Sequence, residues 1–113
     1  MSHDTQKRTF VAWCPDYTDA TAFERRLSLR PKHLEGIRKL IATGAHKYGG
    51  VTLDSESTSA KMNGSTMVLE ADSLKDVQAV IESDPYWEGN VWDKDKVVIR
   101  PILLGGPSTS LGQ

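Results

Sequence analysis

Two short stretches hold the side chains best suited to chemistry. Arg30-Pro31-Lys32-His33-Leu34 places an imidazole on what reads as a helix. Asp84-Pro85-Tyr86-Trp87, about fifty residues on, places a carboxylate at a helix end beside aromatic rings. A histidine and an aspartate that meet in a small apolar pocket form a proton-transfer site. Each feature also has an ordinary reading. A lone histidine beside a core face is more often structural than reactive, and Asp-Pro after a helix is a common stop signal. Tyr86, Trp87 and Trp92 suit a core or an interface equally well.

The elements that must position these residues follow from hydrophobic periodicity. Thr9 to Cys14 reads as a strand with Phe10, Ala12 and Cys14 on one side and Val11 and Trp13 on the other, both sides apolar. Thr18 to Thr43 has a helical pattern, but Pro31 lacks a backbone N–H and crowds the carbonyl of Leu27. The expectation is a short helix to about Leu27 and a kink or restart near Arg30, since proline suits a first helical position. Gly44 closes this segment as a C-cap. Lys47 to Asp54 reads as the second strand, Ser55 to Asn63 as a loop and Gly64 to Ala71 as the third strand. Ser73 caps a helix with Asp76 three residues later, and Leu74, Val77, Val80 and Ile81 form its apolar stripe. Asp84 precedes Pro85 and so ends that helix. Lys96 to Leu103 reads as the last strand, and Pro101 favours an edge position for it.

The order is β-α-β-β-α-β. It predicts an α+β, ferredoxin-like fold: a four-stranded antiparallel sheet with two helices on one face. The domain is expected over residues 8–104, between a flexible start (1–7) and a flexible tail (105–113). Val11 and Trp13, or their alternates, would then sit on an uncovered sheet face. Large exposed apolar patches mark interfaces, so a homodimer packed sheet to sheet is expected.

Length and composition set the frame. A chain of 113 residues suits one domain and buries roughly two-thirds of its unfolded surface, so it needs no disulfide or metal to fold. With 14 basic and 15 acidic residues, net charge −1, no bulk field draws it to nucleic acid or anionic membrane. The single cysteine, Cys14, precludes an internal disulfide and fits a reducing compartment. No apolar run approaches the length of a membrane span, and the polar start lacks a signal-like apolar core, so a cytoplasmic location is expected.

Helical phase places His33. At about 100° per residue, Leu34, Ile37, Leu40 and Ile41 define an apolar stripe, and His33 lies about 50° from its centre, within the buried arc. Lys32, Glu35 and Lys39 point to water. Gly36 lies toward the His33 edge and leaves room there.

The combined pattern resembles the YciI-like (YCII-related) family of the dimeric α+β barrel superfamily. The resemblance is carried by Arg26-Leu27-Ser28-Leu29-Arg30-Pro31-Lys32-His33-Leu34, Gly49-Gly50, Gly64-Ser65, Asp84-Pro85-Tyr86 and Arg100-Pro101. These stretches span Phe10 to about Leu103. The segment Tyr86-Trp87-Glu88-Gly89-Asn90-Val91-Trp92 looks like that of a eukaryotic, fungal branch. The resemblance implies a ferredoxin-like fold, a dimer and a site centred on histidine and aspartate, roles that would fall on His33 and Asp84. A characterised family member is a dehydrochlorinase acting on a chlorinated hydroxyquinol. The wider superfamily holds muconolactone isomerases and small monooxygenases. One departure is Gly49-Gly50, where many relatives show Gly-Pro.

The expected activity is acid–base elimination or isomerisation of a small oxygenated, cyclic or aromatic compound, without metal or organic cofactor. His33 would remove a proton, and Asp84 would orient its imidazole and stabilise the charged form. Arg30 would bind an anionic oxygen or else form a surface ion pair. Gly50 would let backbone approach the ligand, Ser65 would hydrogen-bond to it, and Tyr86, Trp87 and Trp92 would form an apolar wall. Other chemistries have weaker signals. His3, His33 and His46 are far apart and no cysteine cluster joins them, so no metal site is expected; His3 and His46 read as solvated. Cys14 lies in a sheet face with nothing nearby to lower its pKa. Gly105-Gly106-Pro107 has no helix after it, so it is no phosphate loop. The third strand lacks the basic, aromatic signature of RNA-recognition domains. The competing class is a non-catalytic dimeric ligand-binding or assembly module, in which His33 and Asp84 form a sealed structural pair.

Overall fold

A computed structural model describes residues 7–105. His3, the Gly106-Pro107 step and the flexible ends expected at 1–7 and 105–113 fall outside the described residues, apart from residues 7 and 105. The chain forms β1 (Arg8–Pro15), α1 (Ala22–Ala42), β2 (His46–Leu53), β3 (Met62–Ala71), α2 (Leu74–Glu82), α3 (Pro85–Glu88) and β4 (Val98–Ile102). The strands make one antiparallel sheet in the order β2-β3-β1-β4. This is the α+β, ferredoxin-like arrangement expected from the strand and helix order, with Pro101 on the edge strand β4 as its missing N–H requires.

Alternation along β1 divides the sheet into two faces. Phe10, Ala12 and Cys14 are buried and meet Met67 and Leu69 of β3, Val77 and Ile81 of α2, and Tyr86, Val91 and Trp92. Trp13, opposite Thr66 and Val98, points to the other face and is 51% exposed. Tyr48, opposite Val68, is 66% exposed. That face is bare in the single chain.

α1 differs from expectation. It is one 21-residue α-helix that runs through Pro31 without a restart, and it begins at Ala22. The physical reason is orientation. Pro31 and Leu27 both lie on the exposed side of the helix, so the carbonyl that loses its intrahelical partner reaches water. The helix N-terminus is held by Asp19, which accepts two 2.8 Å bonds from the Arg25 guanidinium. Arg25 also donates to the Asn90 carbonyl, tying α1 to the loop after α3. At the other end Gly44 adopts φ +83°, and the N–H groups of Gly44 and Ala45 cap the carbonyls of Ile41 and Leu40.

The second departure is α3. Asp84 does stop α2, yet it also starts a new helical turn. Its extended backbone (φ −74°, ψ 141°) is what a residue before proline adopts, and Pro85 takes the first helical position. Ser73 caps α2 as expected, its hydroxyl accepting from Asp76 N–H at 3.2 Å.

Candidate active site

His33 and Asp84 meet. The imidazole Nδ1 lies 2.9 and 2.8 Å from the two carboxylate oxygens of Asp84. α1 carries His33 on the stripe Ala22, Arg26, Leu29, His33 and Ile37, which faces the sheet, and His33 is 8% exposed. α3 fixes the carboxylate, because Oδ1 of Asp84 also accepts from Tyr86 N–H at 2.8 Å as the cap of that turn. A capping carboxylate cannot swing away without losing the cap, so a local helix signal holds a long-range contact in place.

This geometry assigns the ring nitrogens. An ionised carboxylate only accepts hydrogen bonds, so Nδ1 carries the proton that points at Asp84. In the neutral imidazole the lone pair is then on Nε2. No residue among those described bonds to Nε2, and it is not sealed from solvent. The Tyr86 hydroxyl, in contrast, is fully buried and has no partner among the described residues.

The aromatic residues hold the ring from inside. Tyr86 stacks on His33 with centroids 4.1 Å apart and planes 15° from parallel. Trp92 meets the imidazole edge-on at 5.9 Å. The expectation of an open aromatic wall therefore needs correction for these two: both are fully buried, because Val91 and Trp92 turn back into the core between helices and sheet. Trp87 is turned elsewhere. It lines a cavity of about 380 Å³ between α2 and β4, with Ile81, Lys94, Ile99 and Arg100. Consecutive residues of a helical turn point about 100° apart, so Tyr86 and Trp87 cannot share a wall.

Beneath Tyr86 lies an ion pair that escaped the sequence reading. Arg26 is 1% exposed, with Nε 2.7 Å and Nη2 3.1 Å from the carboxylate of Asp16. Its guanidinium carbon sits 4.6 Å from the Tyr86 ring centre. Arg26 and His33 are two helical turns apart, about 10 Å, and the Tyr86 ring fits between them. Arg26 lies at i−7 from His33, on the same buried stripe, a relation that holds because α1 is continuous through Pro31. Asp16 carried no signal, since Pro15-Asp16 reads as a strand end.

This network also corrects the role expected for Ser65. Its hydroxyl is buried and accepts from Arg26 Nη2 at 2.7 Å and from Trp92 Nε1 at 3.1 Å. Those bonds hold Ser65 within the core. Arg30 is exposed and, among the described residues, makes neither an ion pair nor a hydrogen bond, so the alternative surface ion pair is not formed. Its charge nevertheless reaches the Tyr86 hydroxyl, whose pKa is raised by burial and lowered in part by Arg26 and Arg30. Gly50 lies opposite Thr66, on the bare sheet face, in a shallow cavity of about 190 Å³. Gly49, opposite the buried Met67, is the glycine that faces α1.

Two further groups were placed by sequence. Cys14 is buried, and burial followed by the nearby charges of Asp84 and Asp16 pushes its thiol up to about 12. It is a poor nucleophile. His46 is half-buried, contrary to the solvated position expected; it faces the buried Leu69 across the β2–β3 ladder. Among the described residues, no group of three or more histidine, cysteine, aspartate or glutamate side chains is placed to hold a metal ion, and no helix is long and apolar enough to cross a membrane.

A family model described as the YCII-related domain matches residues 9–100. The chain belongs to the YCII-related domain family. Protein YciI of Escherichia coli O6:H1 is 33% identical over 96 residues, covering 82% of this chain and 94% of that protein. Fusaric acid biosynthesis protein 2 of Gibberella fujikuroi is 28% identical over 101 residues, covering 87% and 95%. Aspartate kinase FUB3 of Fusarium oxysporum f. sp. lycopersici is 28% identical over 103 residues, and this chain spans only 19% of its length. Among solved structures, 5-chloro-2-hydroxyhydroquinone dehydrochlorinase (TftG) from Burkholderia phenoliruptrix AC1100, in complex with 2,5-dihydroxybenzoquinone, superposes with a TM-score of 0.71 at 22% identity. The match covers 81% of this chain and 90% of that one. At that identity the likeness establishes the ferredoxin-like fold.

Proposed function

We propose that this YCII-related protein is a small-molecule enzyme in which His33 and Asp84 transfer a proton during elimination or isomerisation of a small oxygenated compound. One observation carries this reading. The imidazole is fixed through Nδ1 by a carboxylate that is itself fixed by a helix cap, and among the described residues Nε2 has no partner.

Nε2 of His33 accepts a proton from carbon or oxygen of the substrate. Asp84 holds the imidazole in the tautomer that makes this possible and stabilises the imidazolium that results. In an isomerisation the same proton returns to a different atom. In an elimination the C–H electrons form the new double bond and the leaving group departs with its own pair. Tyr86 and Trp92 fix the plane of the ring, and the buried Arg26–Asp16 pair fixes Tyr86. Arg30, exposed and unpaired on the turn before His33, is suited to an anionic oxygen of the substrate. The chemistry calls for no metal or organic cofactor. The substrate class is supported by what the dehydrochlorinase with the same fold acts on and by the biosynthetic name of the fungal relative.

A non-catalytic role as a dimeric ligand-binding or assembly module is the second reading. It is favoured by one observation: His33 is only 8% exposed, packed between Tyr86 and Trp92. Sealing would make the pair purely structural. A bare sheet face carrying Trp13 and Tyr48 supports a homodimer in either case. We take residues 8–104 as the domain and the cytoplasm as its location.

The deciding experiment is turnover. A panel of halogenated hydroquinones, beginning with 5-chloro-2-hydroxyhydroquinone, and of cyclic hydroxyketones is screened for elimination and isomerisation. For any substrate found, His33→Gln is expected to lower kcat by about a hundred- to ten-thousand-fold. Unchanged kcat in a folded His33→Gln variant overturns the assignment.

A further inference from the structure

We propose that His46 is a second imidazole of the same site and receives, at Nε2, a hydrogen bond from a substrate hydroxyl. This role depends on His33 acting as the base, and it adds a group which that chemistry alone does not require.

His46 opens β2 opposite Leu69, whose side chain is buried on the helix side of the sheet. It therefore shares the face that α1 covers. The ladder shifts register between His46 and Tyr48, an irregularity of the kind that re-aims a side chain. The re-aimed ring leans over Gly49. A Cβ at Gly49 would lie 2.5 Å from Nε2 and 2.7 Å from Cε1 of His46, so the ring occupies space that only glycine leaves free. α1 and β2 run antiparallel about a short turn. His33 lies nine residues before the end of α1, about 13 Å back along its axis, and Gly49 lies three residues into β2 from His46, about 10 Å along the strand. A ring over Gly49 thus comes level with His33 across the gap between helix and strand.

The electrostatics agree with that placement. Burial first, and then the charge of His33, hold the His46 imidazole below its ordinary pKa. It is therefore neutral near pH 7. The backbone of its own residue acts in the opposite sense, favouring protonation. Nε2 is the ring nitrogen that lies over Gly49, away from the His46 backbone, and in the tautomer with its proton on Nδ1 it accepts a hydrogen bond. Lys47, the adjacent cation on β2, is engaged by Glu70 at 3.7 Å. An acceptor in this position selects hydroxyl over ether or carbonyl oxygen, because only the hydroxyl donates.

The test uses ring resonances of the intact protein. Without ligand, the titration midpoint of His46 is expected to rise in His33→Gln, since a depressing charge is gone. An unchanged midpoint means that the two rings do not share a cleft and overturns the proposal. Hydroquinone is then added. It is expected to shift the ring signals of both histidines and to bind about three- to tenfold more weakly to His46→Phe, the worth of one hydrogen bond. His46→Gln, which keeps an acceptor, restores most of the affinity. 1,4-Dimethoxybenzene, which has no hydroxyl, is expected to bind wild type and His46→Phe alike. If hydroquinone shifts His33 alone, or binds His46→Phe as it binds wild type, the role of His46 fails while that of His33 stands. If it shifts neither ring, both fail.

Discussion

An imidazole becomes a directed base when one nitrogen is occupied and the ring cannot turn. In the proposed reading His33 meets both conditions. Asp84 occupies Nδ1 with two oxygens, Tyr86 stacks on one face of the ring, and Trp92 abuts its edge. His33 was placed on the sheet-facing arc by helical phase, and it is there. Asp84 was legible only as a stop signal; its contact with His33, 51 residues away, came into view through the family resemblance and not through any local pattern. Arg26 lies seven residues before His33, and only the unbroken α1 puts the two on one stripe; the break expected near Arg30 hid that spacing. The partner of Arg26, Asp16, arrives from the end of another element, which no periodicity reports. Cys14 carries a consequence for stability at this scale. Its folded-state pKa is raised from 9.0 to about 12, so the unfolded chain loses the thiol proton first as pH rises. Stability from this group is present below pH 9 and is lost between pH 9 and about 12. Urea unfolding from pH 8 to 11 is expected to show a steeper fall in wild type than in Cys14→Ala, by on the order of 2 kcal/mol over that interval. Parallel curves would contradict the burial assigned to the thiol.

Among the elements, the strands and α2 follow from alternation, apolar periodicity and the Ser73 cap. The two misreadings are both about proline. Pro31 was expected to divide α1, and it does not, because its face of the helix is solvated. Pro85 was expected only to end α2, and it also begins α3. In each case the ring acts as its φ angle and missing N–H dictate; what sequence leaves open is whether the affected carbonyl can reach water and whether a cap stands ready. The continuous α1 matters for the site, since a kink at Arg30 would break the seven-residue spacing that puts Tyr86 between Arg26 and His33. Pro31→Ala restores an N–H for the Leu27 carbonyl and is expected to stabilise the fold by about 1–3 kcal/mol in chemical denaturation. A destabilised Pro31→Ala would mean that the proline packs against something essential.

Across the whole molecule, the helices cover one face of the sheet and leave the other bare. Alternation in β1 divided its residues into two sets, and the structure puts the set with Trp13 on the bare face, where Tyr48 of β2 joins it. In the proposed homodimer a second copy of this chain covers that sheet face. Sedimentation equilibrium is expected to report a dimer for wild type and a monomer for Trp13→Asp combined with Tyr48→Lys. A wild-type monomer at tens of micromolar would remove the dimer from the account. Dimerisation would also bear on the site, because β2, which carries Gly49 and His46, is an edge strand whose outer face continues the bare surface.

The central claim is that Asp84 holds the His33 proton on Nδ1 and leaves the lone pair on Nε2. The most direct measurement is ¹⁵N NMR of the ring nitrogens, in wild type and in Asp84→Asn, at a pH where the imidazole is neutral. The expected result is an Nδ1–H tautomer in wild type and a loss of that preference in Asp84→Asn, whose amide can donate as well as accept. An Nε2–H tautomer in wild type, or a tautomer indifferent to Asp84, would contradict the account.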